Sequence, residues 1–489
     1  MKKLLGVLGI IVLVVIAVMV YRAGSHFEDQ SGAPAASVVE VSIDEDAAVE
    51  RFSAALTYPT ISHDDRSNFD AAAFTGFRDF LESAYPLVHE RAQRTIISGH
   101  SLVFHLPGSD PSLEPVLFLS HMDVVPVQKD TLADWTHPPF DGVVKDGIVW
   151  GRGSVDDKVG VIALLEATEM LLQQGIEPQR SLYLAFGHDE EVGGADGAQA
   201  VARHFEEQGI RFDFVLDEGG ALTEGIMAGI DKPLAIIGVS EKGYVNLVLT
   251  VLSEGGHSSQ PPEHTALGIL SQAIVNVENQ PFPARLDSML PTIDAVGAYM
   301  PFKDRLAMSN LWLLGPIVKS ALLREPDMAA GIRTTTAATM ASGSPKSNIL
   351  PTRAQAVINF RILPGETVES VRQRVVEIID DERVAVTTEF GSDPSPISTV
   401  ETRGYELIAS TIRAFEPNAL VAPYMVRGGT DARYFYGVSP NVYRFLMIRI
   451  NPKTIRYVHG IDERIPVGDF LTAIRFYYNV LRQGTSKGV

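Results

Sequence analysis

The run Val116-Leu117-Phe118-Leu119-Ser120-His121-Met122-Asp123 is a short apolar segment that closes on an imidazole and a carboxylate. Ser181 to Phe186, followed by Gly187-His188-Asp189-Glu190-Glu191, has the same form. So has Phe212 to Leu216, followed by Asp217-Glu218-Gly219-Gly220. Each lies about one helix length from its neighbour, and Val159 to Gln174, closed by Gly175, reads as an amphipathic helix between the first two. Short buried runs separated by helices indicate βαβ units, hence an α/β domain with a mostly parallel sheet and helices on both faces. In an open sheet of this kind the carboxyl ends of the strands form the ligand crevice, so topology gathers polar groups that are far apart in sequence.

Outward from this centre, helical spacing over Asp44 to Leu56 and Phe74 to Tyr85 begins the domain. From Lys242 the pattern changes to a long strand, Tyr244 to Leu252, a helix, Ala266 to Glu278, a strand, Ala354 to Ile362, a helix, Val368 to Ile379, and a strand, Val384 to Phe390. The order β-α-β-α-β suggests a smaller α+β domain inserted into the first. Gly404 to Phe415, Leu420 to Val426 and Val467 to Leu481 then return to the parent sheet. The expected boundaries are an apolar first segment over 1–24, a linker over 25–43, the parent domain over 44–239 and 399–489, and the inserted domain over 240–398. Between Pro281 and Ala330 lies an apolar stretch with Leu311-Trp312-Leu313-Leu314. It reads first as a buried helix hairpin extending the inserted core, and second as a wall for a long acyl chain.

The chain has 489 residues with ordinary globular composition, which sets aside fibrous, disordered and disulfide-scaffold classes. Its net charge of −19 argues against nucleic-acid partners. With 0 Cys, any metal must be held by oxygen and imidazole nitrogen. Lys2 and Lys3 precede an uncharged run from Leu4 to Val20, followed by Tyr21 and Arg22. As a helix rising ~1.5 Å per residue it is about 26 Å long, near the lower limit for crossing a bilayer core. Ala23-Gly24-Ser25 directly after Arg22 makes a poor cleavage site, so an uncleaved single-pass anchor is preferred to a signal peptide that leaves a secreted chain. The positive residues on the short side put the amino terminus in the cytoplasm and the remaining chain outside it.

The strand-end groups are joined by Gly151-Arg152-Gly153-Ser154-Val155-Asp156-Asp157-Lys158, which opens a helix, and by Tyr457-Val458-His459-Gly460 before the last helix. Histidines with several carboxylates and no thiolate form the ligand set of a hydrolytic metal site, and so many carboxylates suit two cations that share one. Alternation along a strand puts His121 and Asp123 on one side, where Asp123 holds one imidazole nitrogen while the other binds metal. Glu190 and Glu191 diverge, so one binds metal and the other serves as general base. Each motif alone has a plainer reading: a surface turn, a solvated edge, or, for Asp156-Asp157, a helix cap.

At these residues the sequence resembles the M20 metallopeptidase family, most closely its carboxypeptidase S-like branch of Gly-X carboxypeptidases and N-fatty-acyl-amino-acid synthase/hydrolases. Arg427-Gly428-Gly429-Thr430-Asp431-Ala432 adds to the match, which extends from about Val49 to the last helix. The resemblance implies that His121, Asp156 and Asp217 bind one divalent ion and Asp156, Glu191 and His459 a second. Zinc is the expected ion, although cobalt and manganese suit the same donors. It further implies that Asp123 orients His121, Glu190 is the general base, and His257 of Gly255-Gly256-His257-Ser258-Ser259 reaches a partner subunit's oxyanion in a homodimer. Asn348 and Arg361 would hold a substrate carboxylate, with Gly429 lining the site. Thr430 and Asp431 are expected to cap a helix.

Taken together, these features read as a membrane-anchored two-metal amidohydrolase that cleaves beside a free carboxylate, as a carboxypeptidase on short peptides. The alternative substrate is a long-chain N-acyl amino acid, hydrolysed or synthesised. A remoter alternative is a non-catalytic protein that binds peptide or metal.

Overall fold

Val116–His121, buried at all six positions, forms a central strand of a ten-stranded sheet in the computed structural model, which describes residues 2–487. Residue 1 and residues 488 and 489, the outer ends of the expected anchor and of the second parent-domain segment, lie outside the described residues. Leu182–Gly187 and Phe214–Asp217 flank the central strand in parallel, and Val442–Arg444 continues in parallel beyond the latter. Register sets His121 beside Gly187 and Asp217 beside Arg444, so the polar ends of these strands line one edge. The outer strands are mixed. Ser101–Leu106 and Gln93–Ile97 add antiparallel on one side, while Leu234–Glu241 meets Val442–Arg444 antiparallel and Leu420–Val426 in parallel.

Lys158–Gln173 differs from the amphipathic helix expected here: it is buried from Lys158 to Leu171. The last helix, Val467–Gly484, covers one side, while Glu45–Leu56 and Pro86–Arg91 pack on it too. Its buried acids are matched by distant partners. Glu166 accepts from Arg51 Nε and Nη2 at 2.5 and 2.8 Å and from the Tyr85 hydroxyl at 2.9 Å. Glu169 accepts from the amides of Leu87 and Val88 at 3.1 and 2.9 Å, satisfying the start of a neighbouring helix. Glu166→Ala would leave Arg51 and Tyr85 unpaired. We expect it to lower stability by about 2–3 kcal/mol, less than a fully buried pair because Arg51 keeps access to water, read from the urea midpoint.

Four antiparallel strands form a second sheet in the order Thr335–Ser342, Arg353–Ile362, Gly243–Leu252, Val384–Ser392. Alternate residues of Gly243–Leu252 and Arg353–Ile362 are buried, and the helices Ala266–Asn279 and Val368–Ile379 cover that face. Thr335–Ser342 is an addition to the expected strand order.

Of the stretch from 281 to 330, Phe282 joins this second core against Phe360, but the helices that follow do not extend it. The helices Leu290–Val296, Phe302–Met308 and Leu311–Leu322 lie toward the first sheet, where Ile293, Val296 and Met300 pack with Ile230, Leu234, Leu420 and Ala422. Trp312 stays exposed. The first helix, Lys2–Ser25, is long and apolar enough to cross a membrane or to act as a signal sequence, and its first residues are exposed. Behind it the expected linker is a strap. Gln30 Nε2 donates to the carbonyls of Ala295 and Val421 at 2.7 and 2.9 Å, the Ala36 amide to Ser410, and the Val39 amide to Asn479.

Candidate metal centre

His121 ends its strand buried, with Nδ1 3.0 Å from the Asp123 carbonyl oxygen and 3.4 Å from Asp123 Oδ1. Its other nitrogen, Nε2, lies 3.0 Å from Asp156 Oδ1. The second oxygen of Asp156 lies 3.0 Å from His459 Nε2, which is also 3.2 Å from Glu191 Oε2. Asp156 thus joins two imidazoles through different oxygens. His121, Asp156 and Glu191 each offer a ligand atom, all within 4.8 Å of one another.

These groups come from separated segments, and the loops that carry them are held by further bonds. The Asp123 carboxylate accepts the backbone N–H groups of Glu190 and Glu191 at 3.2 and 3.1 Å, so it orders the acidic turn as well as facing His121. That turn closes through Gly193 and Gly194 at φ +101° and +67°, a conformation that favours glycine, and a Cβ on Gly194 would meet Asp431 Oδ1 at 2.5 Å. Glu463 receives Arg152 Nη1 at 2.6 Å and the amides of Val155 and Asp156 at 2.8 and 3.2 Å. Arg152 also donates to the His459 carbonyl at 3.2 Å, which ties the two ligand loops together. Glu463 carried no motif signal, and only the fold shows its importance.

Electrostatics identify what the cluster lacks. Burial pushes Asp217 up to about 6, with Glu241 adding to the shift and Arg444 opposing it. Burial also raises Asp157 to about 7 and Glu191 above the usual carboxylate range. It drives Glu190 well above that range against the pull of His121, with Asp431 and Glu191 repelling it further. Glu218 and Asp431, absent from the candidate residues drawn from sequence, are raised in the same way. Hydrogen bonds to Asp156 and Glu191 hold the His459 imidazole at about 10. Buried anions that repel one another require positive charge. Glu191 Oε1, Asp157 Oδ1 and Asp431 Oδ1 are buried without a hydrogen-bond partner among the described residues. Oxygen and imidazole donors with unpaired lone pairs fit a divalent cation.

The remaining candidates are less centrally placed. Asp217 accepts the Ala432 amide at 2.7 Å and repels Asp157 and Glu218. Thr430 caps no helix through its side chain; its hydroxyl donates to Glu241 at 2.7 Å, while Glu241 also takes Arg444. A Cβ on Gly429 would collide with Arg433 Nη1, so glycine there makes room for that guanidinium. Arg433 was missed in the sequence because nothing local marks it. It is half-buried, feels Glu190, Glu241 and Asp431, and repels Arg361. Arg361 sits on the second sheet with its guanidinium 4.7 Å above the Tyr244 ring, and no carboxylate pairs with it among the described residues. His257 and Asn348 face solvent on a two-stranded ribbon, where the Ser258 amide donates to the Asn348 carbonyl and the His257 ring bonds Ser259.

The arrangement has known counterparts. The chain is 38% identical over 438 residues, 88% of its length and 84% of the other, to probable carboxypeptidase S-like 2 of Dictyostelium discoideum. It is 36% identical over 440 residues, 88% of its length and 87% of the other, to N-fatty-acyl-amino acid synthase/hydrolase PM20D1 of Homo sapiens. Its fold matches the crystal structure of the M20 family metallo-carboxypeptidase Sso-CP2 from Sulfolobus solfataricus with a TM-score of 0.64 at 18% identity, covering 90% of this chain and 99% of that one. Since the model of one family runs through residues 117–483, from the strand that carries His121 to the last helix, the chain belongs to peptidase family M20/M25/M40.

Proposed function

We propose that the chain is a two-metal hydrolase that cleaves an amide bond beside a free carboxylate, as a carboxypeptidase on short peptides. The observation that carries this reading is Asp156, whose two oxygens face His121 and His459 separately, the geometry of a carboxylate shared by two cations. His121, Asp156 and Asp217 would hold one ion and Asp156, Glu191 and His459 the other, with zinc the natural choice for these donors. Bound there, the ions supply Lewis acidity toward the scissile carbonyl and make water acidic at neutral pH.

The remaining steps belong to the chain's own groups. Glu190 has no place among the ligand atoms, so its carboxylate oxygen accepts the proton of the attacking water and returns it to the departing amine nitrogen. Asp123 holds the turn on which Glu190 stands and faces His121 Nδ1. Arg361 pairs with no carboxylate among the described residues, so it offers a fork for that of the substrate, and Asn348 and the backbone at Gly429 would add further bonds to it. His257, exposed in the single chain, suits a role at the oxyanion of a second copy, with the segment 240–398 as lid and dimerisation domain between the catalytic segments 44–239 and 399–489. The apolar first helix would anchor the enzyme, cytoplasmic end first; cleavage would instead release it.

A second reading has specific support: relatives similar in identity and coverage include N-fatty-acyl-amino acid synthase/hydrolases, which places long-chain acyl amino acids beside short peptides as substrates. The test is turnover of the metal-replete full chain on dipeptides against long-chain N-acyl amino acids that share one C-terminal residue. Faster turnover of dipeptides is expected, and a preference for the acyl series would move the assignment to the second reading. In both series Arg361→Ala should raise KM about 10–100-fold, the equivalent of the ~1.5–3 kcal/mol of hydrogen bonds to a charged group, and leave C-terminally amidated substrates unaffected.

A further inference from the structure

Helix Leu311–Leu322 presents an uncharged face to solvent, made of Trp312, Leu313, Pro316, Ile317 and Ser320. Trp312, Leu313 and Ile317 are 59%, 45% and 66% exposed, and Phe302 on the preceding helix is exposed as well. Large apolar side chains grouped in this way mark a surface that something covers.

The neighbouring helix indicates what covers it. Asn310 Nδ2 donates to the Met19 carbonyl at 3.1 Å, and Arg22 Nε donates to the Ser309 carbonyl at 2.8 Å. The start of Leu311–Leu322 is therefore level with Met19, inside the uncharged run from Leu4 to Val20 and one residue before its end. Where that run leaves a bilayer, Trp312 stands at the polar boundary, the depth that tryptophan favours. Charge agrees with this placement. Between Phe302 and Arg324 stand Lys303, Arg305, Lys319 and Arg324 against Asp304 alone, 4 − 1 = +3 in a chain of net −19. An apolar face flanked by cations suits the surface of a membrane with anionic lipids.

We propose that Leu311–Leu322 lies in the surface of the same bilayer that Lys2–Ser25 crosses, with Leu313 and Ile317 against the acyl chains, Trp312 where those chains meet the polar boundary, and the flanking cations at the headgroups. This rests on the reading of the first helix as an anchor. Two attachments, one across the membrane and one along it, would fix the orientation of the catalytic body relative to the lipid.

The test uses the full chain in vesicles of phosphatidylcholine and phosphatidylglycerol, with and without bromine on the acyl chains. Trp135 is buried and Trp150 is held in the body under Arg464, so acyl-chain quenching should report Trp312. The expected result is loss of most of the Trp312 emission in brominated vesicles, and no such loss in Trp312→Phe. Equal response of the two proteins overturns the proposal. So does a bromine-insensitive Trp312 in a chain that sediments as a dimer in detergent, which would assign the face to a second copy. Alkaline carbonate extraction of the same vesicles reports the anchor separately. Retention without quenching removes the docking face alone, whereas release of the chain removes the anchor and the docking with it.

Discussion

Glu190→Gln is expected to slow turnover about 10²–10⁴-fold, the usual contribution of a positioned general base, while metal content stays at the wild-type value. Glutamine keeps the volume and the backbone bond by which Glu190 N–H reaches Asp123 Oδ1, so the turn has no reason to move. What is lost is the ability to carry a proton in a site where burial and the carboxylates of Asp431 and Glu191 raise proton affinity. Steady-state kinetics on a dipeptide, paired with elemental analysis of the purified variant, separates the two outcomes. Undiminished turnover would remove Glu190 from the mechanism. If wild type and variant both bind peptide without turning it over, the chain is a binding protein on a peptidase fold.

The second large effect is expected at Asp156. Asp156→Asn removes the charge that faces both His121 and His459, and an amide cannot serve two cations through two anionic oxygens. Metal affinity should fall at least about 100-fold, the upper end of the cost of losing a partner that merely orients a ligand. Turnover should fall with it and recover only in part at high zinc. Elemental analysis after dialysis, followed by zinc titration of activity, reads both effects. A variant that keeps two ions per chain would show that the cations do not share Asp156.

The contrast between what the sequence revealed and what it hid has a physical basis. His121, Glu190, Glu191 and Asp217 are legible because each ends a short apolar run, and parallel pairing then fixes them on one edge. Gly243–Leu252 and Arg353–Ile362 are legible because one face of their sheet is buried and the other is not. Thr335–Ser342 is not, since its small residues are largely exposed at an edge. Lys158–Gln173 looks amphipathic because Glu166 and Glu169 interrupt its apolar pattern, yet Arg51, Tyr85 and a helix start about 80 to 115 residues away satisfy those charges inside the protein. Glu463 and Arg433 act through pairs and fields that cross the chain, such as Arg152 with Glu463 across 311 residues, and local pattern holds no record of such distances. The helix Leu311–Leu322 misleads for the opposite reason: apolar composition suggests burial in the protein, and Trp312, Leu313 and Ile317 instead point away from it.

The strap behind the first helix bears on where this polypeptide tolerates being shortened. Phe27 packs against the cluster that holds Ile293 and Leu420, the Gln30 side chain bridges two carbonyls that belong to different segments, and Val39 exchanges hydrogen bonds with Asn479 of the last helix. Residues 26–42 therefore behave as a seam closing two halves of the body, and a recombinant version begun at residue 40 would open it. A cut between the first helix and Phe27 keeps the seam shut, which makes that junction the rational starting point for a form without the apolar helix.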